Sequence, residues 1–229
     1  MRAVIVSHGQ PGDPGPQQQA IEELAARIAA RDPGCPVAGA TLAMPGALAA
    51  ACDESSLIYP MFMAEGWFTG SELPRRLALA GAAGARVMRP FGTDPALPGL
   101  IVAKARAAII GAKWAPQDTT LFLAAHGSQR SQASFRITTA LAEQVAPLFA
   151  RVVTGFVEQA PFIADAARGL GPAVSLPLFA LRADHVLDDV PGALDRAGFT
   201  GPRLDPIGLA PEVPGMIAAA IRREVSPNI

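Results

Sequence analysis

The 229-residue chain is poor in cysteine, in aromatic residues and in charge. Its two cysteines, Cys35 and Cys52, lie outside any CxxC pair, so neither a disulfide framework nor a zinc ribbon fits. Aromatic residues make up 6% and charged residues 17%, with 19 Lys and Arg against 20 Asp and Glu. The basic residues are scattered and form no stripe of the kind on which nucleic-acid affinity rests, so nucleic acid is excluded as a partner. No apolar run reaches the roughly 20 residues of a membrane helix, because Gly, Pro or charge breaks each one; no membrane association is expected. The opening run Met1-Arg2-Ala3-Val4-Ile5-Val6-Ser7 turns polar too soon for a signal-peptide core, which makes the cytoplasm the expected location. Nor does a GxGxxG follow a strand, and GxxxxGK[ST] and GxSxG motifs are missing, which disfavours nucleotide chemistry and serine hydrolysis.

What is abundant is small and aliphatic. Half the residues are hydrophobic, and the chain holds 22 Gly and 22 Pro. Such a composition suits helices packed closely on sheets.

An internal repeat organises the chain. Val4-Ile5-Val6-Ser7-His8-Gly9 resembles Leu121-Phe122-Leu123-Ala124-Ala125-His126-Gly127, with the His-Gly pairs 118 residues apart. Val37-Ala38-Gly39-Ala40 parallels Val153-Thr154-Gly155-Phe156 at an offset of 116. Tyr59-Pro60-Met61-Phe62 matches Leu176-Pro177-Leu178-Phe179 at 117, and each run meets another proline fourteen residues later, Pro74 or Pro191. Pro90-Phe91-Gly92 and Pro98-Gly99-Leu100-Ile101 mirror Pro206-Ile207-Gly208 and Pro214-Gly215-Met216-Ile217 at 116. So many landmarks in one register indicate a duplicated lobe. Its seam falls near 111–118, where Gly111, Pro116 and Asp118 break a helix, giving an N-terminal lobe 1–112 and a C-terminal lobe 113–229.

Within each lobe, apolar runs alternate with helical periods. Residues 2–7, 36–42, 56–62 and 85–89 read as strands, as do 119–125, 151–157, 173–179 and 202–206. Helical stretches such as Gln17–Arg31 and Ser134–Phe149 lie between them. Unbroken apolar strands joined by helices imply α/β architecture: two lobes, each a four-stranded parallel sheet flanked by helices, facing across a cleft. Ligands of such folds sit outside the carboxyl ends of the strands.

The three histidines fall at informative places. His8 and His126 end the first strand of each lobe. His185 follows the third strand of the second lobe, and the repeat puts Phe68 at its place in the first. Glu158 ends the second strand of the second lobe, and the 116 offset sets Leu42 opposite. The second lobe therefore carries His126, Glu158 and His185 at three strand ends that converge on one rim. Two imidazoles and a carboxylate suit a borderline divalent metal such as Co²⁺, Fe²⁺, Ni²⁺ or Zn²⁺. The bland alternatives stay open: a strand-end histidine is often a satisfied polar residue, the following glycine serves a tight turn, and Glu158 is an ordinary surface carboxylate or helix cap.

Taken with its sequence context, this set resembles the sirohydrochlorin chelatase family (CbiX and CbiK type), relatives of ferrochelatase with the class II chelatase fold. The resemblance rests on His126-Gly127-Ser128, Gly155-Phe156-Val157-Glu158, Pro177-Leu178-Phe179 leading to His185 and Pro191, and, earlier, His8-Gly9, Asp13-Pro14 and Tyr59-Pro60-Met61-Phe62. It spans essentially the whole chain. It implies insertion of a divalent metal, Co²⁺ by family association with Fe²⁺ or Ni²⁺ as alternatives, into sirohydrochlorin during cobalamin or siroheme biosynthesis. The metal is a substrate, and no organic cofactor is implied. His126, Glu158 and His185 are the implied metal-binding and catalytic residues. Gln10 stands where a serine is usual, and Ala183-Asp184 precedes the second histidine where a glycine is common.

A polycarboxylate macrocycle also needs donors. Backbone N–H groups after His8-Gly9 and His126-Gly127 are natural anion sites. Ser128, Arg130, Arg136 and Arg182 are further candidates, and Trp67 and Phe68 could wall a flat ring as readily as fill a core. The alternative reading is a non-catalytic metal- or tetrapyrrole-binding protein of the same fold. Internal duplication leaves a monomer and a homodimer equally compatible.

Overall fold

Runs of Val, Ile and Leu whose side chains are all buried become parallel strands covered on both faces. In the computed structural model, which describes residues 1–182 and 188–225, the first repeat contributes β1 (Ala3–Ser7), α1 (Pro14–Ala29), β2 (Val37–Thr41), α2 (Ala47–Ala51), β3 (Leu57–Pro60), a π-turn (Phe68–Glu72), α3 (Leu73–Leu79), β4 (Arg86–Val87) and α4 (Leu97–Gly111). The second contributes β5 (Thr120–Ala125), α5 (Ala133–Val145), β6 (Arg151–Phe156), α6 (Ile163–Ala166), β7 (Ala173–Pro177), α7 (Val190–Arg196) and α8 (Val213–Val225). Both sheets are parallel, in the orders β2-β1-β3-β4 and β6-β5-β7. The β1 and β5 strands are central and wholly buried. Their carboxyl ends are where the two His-Gly pairs emerge.

Proline sets several boundaries. The first helix begins at Pro14 instead of Gln17, because Pro14 and Pro16 occupy a first turn whose N–H groups need no intrahelical partner. Helix α5 stops at Val145 rather than Phe149, and residues 146–148, with Pro147, tighten into a 3₁₀ turn. The expected strand 202–206 is reduced to one bridge, Ser175 with Arg203, so the second sheet has three strands among the described residues, not four. In the first sheet Arg86 donates its N–H to the Ser56 carbonyl at 2.9 Å. Pro202 takes the equivalent position and has no N–H to give.

Packing divides the chain into two compact units. One is Met1–Asp94 with the segment from Pro211 onward, the other Pro95–Ala210. The sequence repeat turns over near residue 112, yet each copy's last helix belongs to the unit built on the other copy's sheet. In the first unit α8 buries Val213, Ile217, Ala218 and Ile221 and places Arg222 3.2 Å from Asp32.

Two local devices hold the first unit's rim. Gly39 lets α1 approach the edge strand β2: a Cβ there would lie 2.5 Å from the Ile21 carbonyl oxygen. The Gln18 amide then closes the edge, donating to Gly39 O at 3.1 Å and accepting from Thr41 N at 2.8 Å. The π-turn after β3 ends on Glu72, whose carboxylate accepts from Arg75 at 2.7 and 2.9 Å and from Arg76 at 2.7 Å. Those bonds hold its pKa down from 4.5 to about 2.

Gly39→Ala should therefore destabilise the protein by about 1–3 kcal/mol in chemical denaturation, the usual cost of overpacking. Gly15→Ala, whose Cβ meets nothing nearer than 3.9 Å, should be neutral or mildly stabilising. Because the folded pKa of Glu72 lies below its unfolded value, its contribution is fully present above about pH 4.5 and is lost as pH falls toward about 2. The stability gap between the parent and Glu72→Gln should narrow over that window. A gap independent of pH from 7 to 2 would contradict the ion-pair account.

Candidate active site at the carboxyl ends of β5 and β6

The β5 strand delivers His126 to the rim, and the chain must then turn sharply. Gly127 makes the turn at φ +74°, in the left-handed region that favours glycine. It also lies so near the β6 loop that a Cβ would sit 2.8 Å from Gln159 Cγ and 2.9 Å from Phe156 Cβ. Across this contact the two loops are stitched together. Glu158 donates its backbone N–H to the His126 carbonyl at 2.9 Å, and Val157 donates to Ala125 O and His126 O at 3.0 and 3.1 Å. In return the Ser128 N–H donates to Gln159 Oε1 at 2.7 Å.

This backbone pairing brings the two side chains together. The closest approach of His126 Nδ1 to Glu158 Oε2 is 3.8 Å, and the side chains are 40% and 45% exposed, so both remain open to a ligand. His126 Nδ1 also lies 2.9 Å from the Gly127 carbonyl. A carbonyl only accepts, so in this contact a neutral imidazole donates from Nδ1, and the bond fixes the orientation of the ring. The Phe179 ring, nearly buried, meets the imidazole edge-on with centroids 6.5 Å apart. Among the described residues no cluster of three or more His, Cys, Asp or Glu side chains could hold a metal ion. His185 lies outside the described residues.

The first unit repeats the turn without the carboxylate. His8 Nδ1 is 2.6 Å from Gly9 O, and Gly9 has φ +77°. Phe68, the counterpart of His185, packs edge-on against the His8 ring with centroids 4.4 Å apart. Phe62 and Trp67 extend that cluster at 6.0 and 5.0 Å. The counterpart of Glu158 is corrected by strand register. Ser7 pairs with Thr41 and Ala125 with Phe156, which sets Ala43, not Leu42, opposite Glu158. The Gly39–Gly155 match is one residue out of step because the central strand and its neighbour have different offsets. Neither residue supplies a donor.

Other expected substrate contacts fare unequally. The N–H groups of Gly127 and Ser128 do not point outward as anion donors: Gly127 N donates to Ser134 Oγ at 3.2 Å, and Ser128 N to Gln159. Ser128 Oγ accepts from the Arg130 amide at 3.1 Å, leaving the Arg130 side chain exposed. Arg136 is exposed on α5. Arg182 pairs with Asp205 at 3.2 Å, and the first unit holds the same pair with signs reversed, Glu65 with Arg89 at 3.4 Å. Trp67 is 63% exposed, which excludes the core reading for it; Phe68 is half-buried. Reading the sequence missed Gln159, Ser134 and Phe179. Gln159 had one signal, an amide beside the candidate carboxylate, facing a glycine turn whose amides needed acceptors.

The CbiX family model matches residues 120–224. A solved structure described as CbiX, the terminal enzyme for biosynthesis of siroheme in denitrifying bacteria, is 56% identical, with 97% of this chain and 98% of that one covered and a TM-score of 0.93. DR2241 from Deinococcus radiodurans, a multi-domain protein described as structurally similar to chelatases, is 25% identical at TM-score 0.67; the alignment covers 96% of this chain and 54% of that one. SirB from Bacillus subtilis with Fe³⁺ shares the fold at 14% identity and TM-score 0.70, over 97% of this chain and 95% of that one. No curated protein sequence matches significantly. With near-complete coverage at 56% identity, and with the His-Gly turns of both repeats in place, the chain belongs to the CbiX family of sirohydrochlorin chelatases.

Proposed function

We propose that this protein inserts a divalent metal, Co²⁺ by preference and Fe²⁺ or Ni²⁺ as alternatives, into sirohydrochlorin or a close tetrapyrrole relative. The reaction centre is on the second unit. One observation carries the reading: a half-exposed imidazole and carboxylate held within 3.8 Å at adjacent strand ends, in a chain 56% identical to an enzyme of siroheme biosynthesis. Imidazole and carboxylate accept cobalt, iron and nickel alike, so the order of preference is set by supply and by the macrocycle as much as by the ligands.

Insertion exchanges M²⁺ for two pyrrole N–H protons. The ion must be held while its waters remain exchangeable, and two protons need acceptors. His126 offers its imidazole for the first task, with the ring oriented by the Nδ1 contact to Gly127 O. Glu158 offsets the charge of the arriving ion and is a proton acceptor on the same rim. His185 joins the proposal through the repeat: its counterpart Phe68 touches the ring of His8, the counterpart of His126. The exposed Trp67 indole offers an apolar plate for a flat ring, with Phe68 packed beneath it. Arg130, Arg136 and Arg182 remain candidates for the macrocycle's carboxylates, as do His8 and Gly9. No oxidation state changes, so no organic cofactor is required.

Metallation of sirohydrochlorin, followed by absorbance, should fall at least about 100-fold in His126→Ala and in His185→Ala, the lower range for a lost acid–base group. Glu158→Gln should slow it by about 10-fold or more. All three should retain the parent circular dichroism, and unchanged rates in both histidine variants would remove the reading. Side-by-side rates with Co²⁺, Fe²⁺ and Ni²⁺ rank the metals.

A further inference from the structure

We infer that Gln159 is a positioning residue for metal capture: its side-chain carbonyl locks the His126 loop against the Glu158 loop and so sets the separation of the two donors. The inference rests on the chelatase reading. Three observations lead to it. Gln159 directly follows Glu158, and its Oε1 accepts the Ser128 N–H at 2.7 Å, the shortest of the bonds joining the loops. Its Cγ packs where a Cβ on Gly127 would fall, so the methylenes as well as the amide are pressed against the turn that aims His126. In the first unit the same space against Gly9 is filled by the Cβ of Ala43 and by the Cβ and hydroxyl of Thr41, and that hydroxyl accepts the Met44 N–H at 3.2 Å. Strand register sets Met44 opposite Gln159, so the amide acceptor is particular to the unit that has the carboxylate.

The physical consequence is specific. Glu158 and His126 are both about half exposed, and side chains on the surface wander unless their backbones are tied. The bond from Glu158 N to His126 O fixes one side of the turn. The Ser128–Gln159 bond fixes the other, so His126 sits between two ties. Releasing one lets the imidazole and carboxylate separate without unfolding the strands behind them. Groups that orient metal ligands in this way typically matter 10- to 100-fold in metal affinity, by general experience of outer-shell partners.

The test uses the whole protein and Co²⁺ alone, titrated by its visible absorption, followed by steady-state metallation. Gln159→Met keeps the length and the packing against Gly127 but removes the acceptor; Gln159→Glu keeps an acceptor oxygen. Q159M should bind Co²⁺ about 10-fold more weakly with an altered absorption band and unchanged circular dichroism, while Q159E stays within about threefold of the parent. Where Q159M fails to fold, Gln159→Asn, one methylene short of Ser128, carries the same expectation. Parent-like Co²⁺ binding and band shape in the acceptor-free variant would overturn the inference, as would an equal loss in Q159E. The two levels of failure separate cleanly. If His126→Ala and Glu158→Ala still weaken Co²⁺ binding while Q159M does not, the clamp is wrong and the chelatase site stands. If all bind like the parent, the site itself is misplaced.

Discussion

The structure depends on a glycine turn made under compression. At the end of a central buried strand the chain must reverse within one residue, in a left-handed conformation, with the neighbouring loop less than a methyl group away. Only glycine meets both conditions. The consequences follow: the histidine before the glycine is carried to the rim, and its Nδ1 meets the next carbonyl. The next strand's loop, tied to the histidine's own carbonyl, brings a carboxylate alongside.

Duplication made this turn twice and set a carboxylate beside it once. Both histidines hold the same bond to the carbonyl of the following glycine. Around His8, however, the donors have been exchanged for rings: Phe68, Phe62 and the exposed Trp67 form a continuous aromatic cluster. Around His126 the loop instead carries Glu158 and Gln159. The two copies have diverged from one frame into an aromatic rim in the first unit and a polar one in the second. The charge-reversed pairs Glu65–Arg89 and Asp205–Arg182 show the same history elsewhere in the repeat.

Much of this was legible in the chain. Strand runs such as Val4-Ile5-Val6 and Leu121-Phe122-Leu123 are wholly buried, as unbroken apolar runs between helices should be. The repeat located the strand-end histidines and the Phe68 substitution, because a duplicated core preserves the order of its landmarks. Register was harder. A glycine motif can drift by one position relative to hydrogen-bond pairing, and Leu42 was set opposite Glu158 where the ladder sets Ala43. The edge strand at 202–206 shrank because Pro202 lacks the N–H that Arg86 supplies. The exchange of α4 and α8 between units left no local trace, since an amphipathic helix does not record which sheet it covers. The clamp by Gln159 was equally hidden: a glutamine's partner is decided by the fold.

The most direct measurement of the central claim is a crystal structure of the protein soaked with Co²⁺, with the ion located by its anomalous scattering. The expected result is one peak on the second unit at about 2.1 Å from His126 Nε2, the usual imidazole–metal distance, with the Glu158 carboxylate turned toward it. A peak beside His8 instead, or an imidazole at 126 with no ion in reach, would contradict the assignment of the chemistry to the second copy.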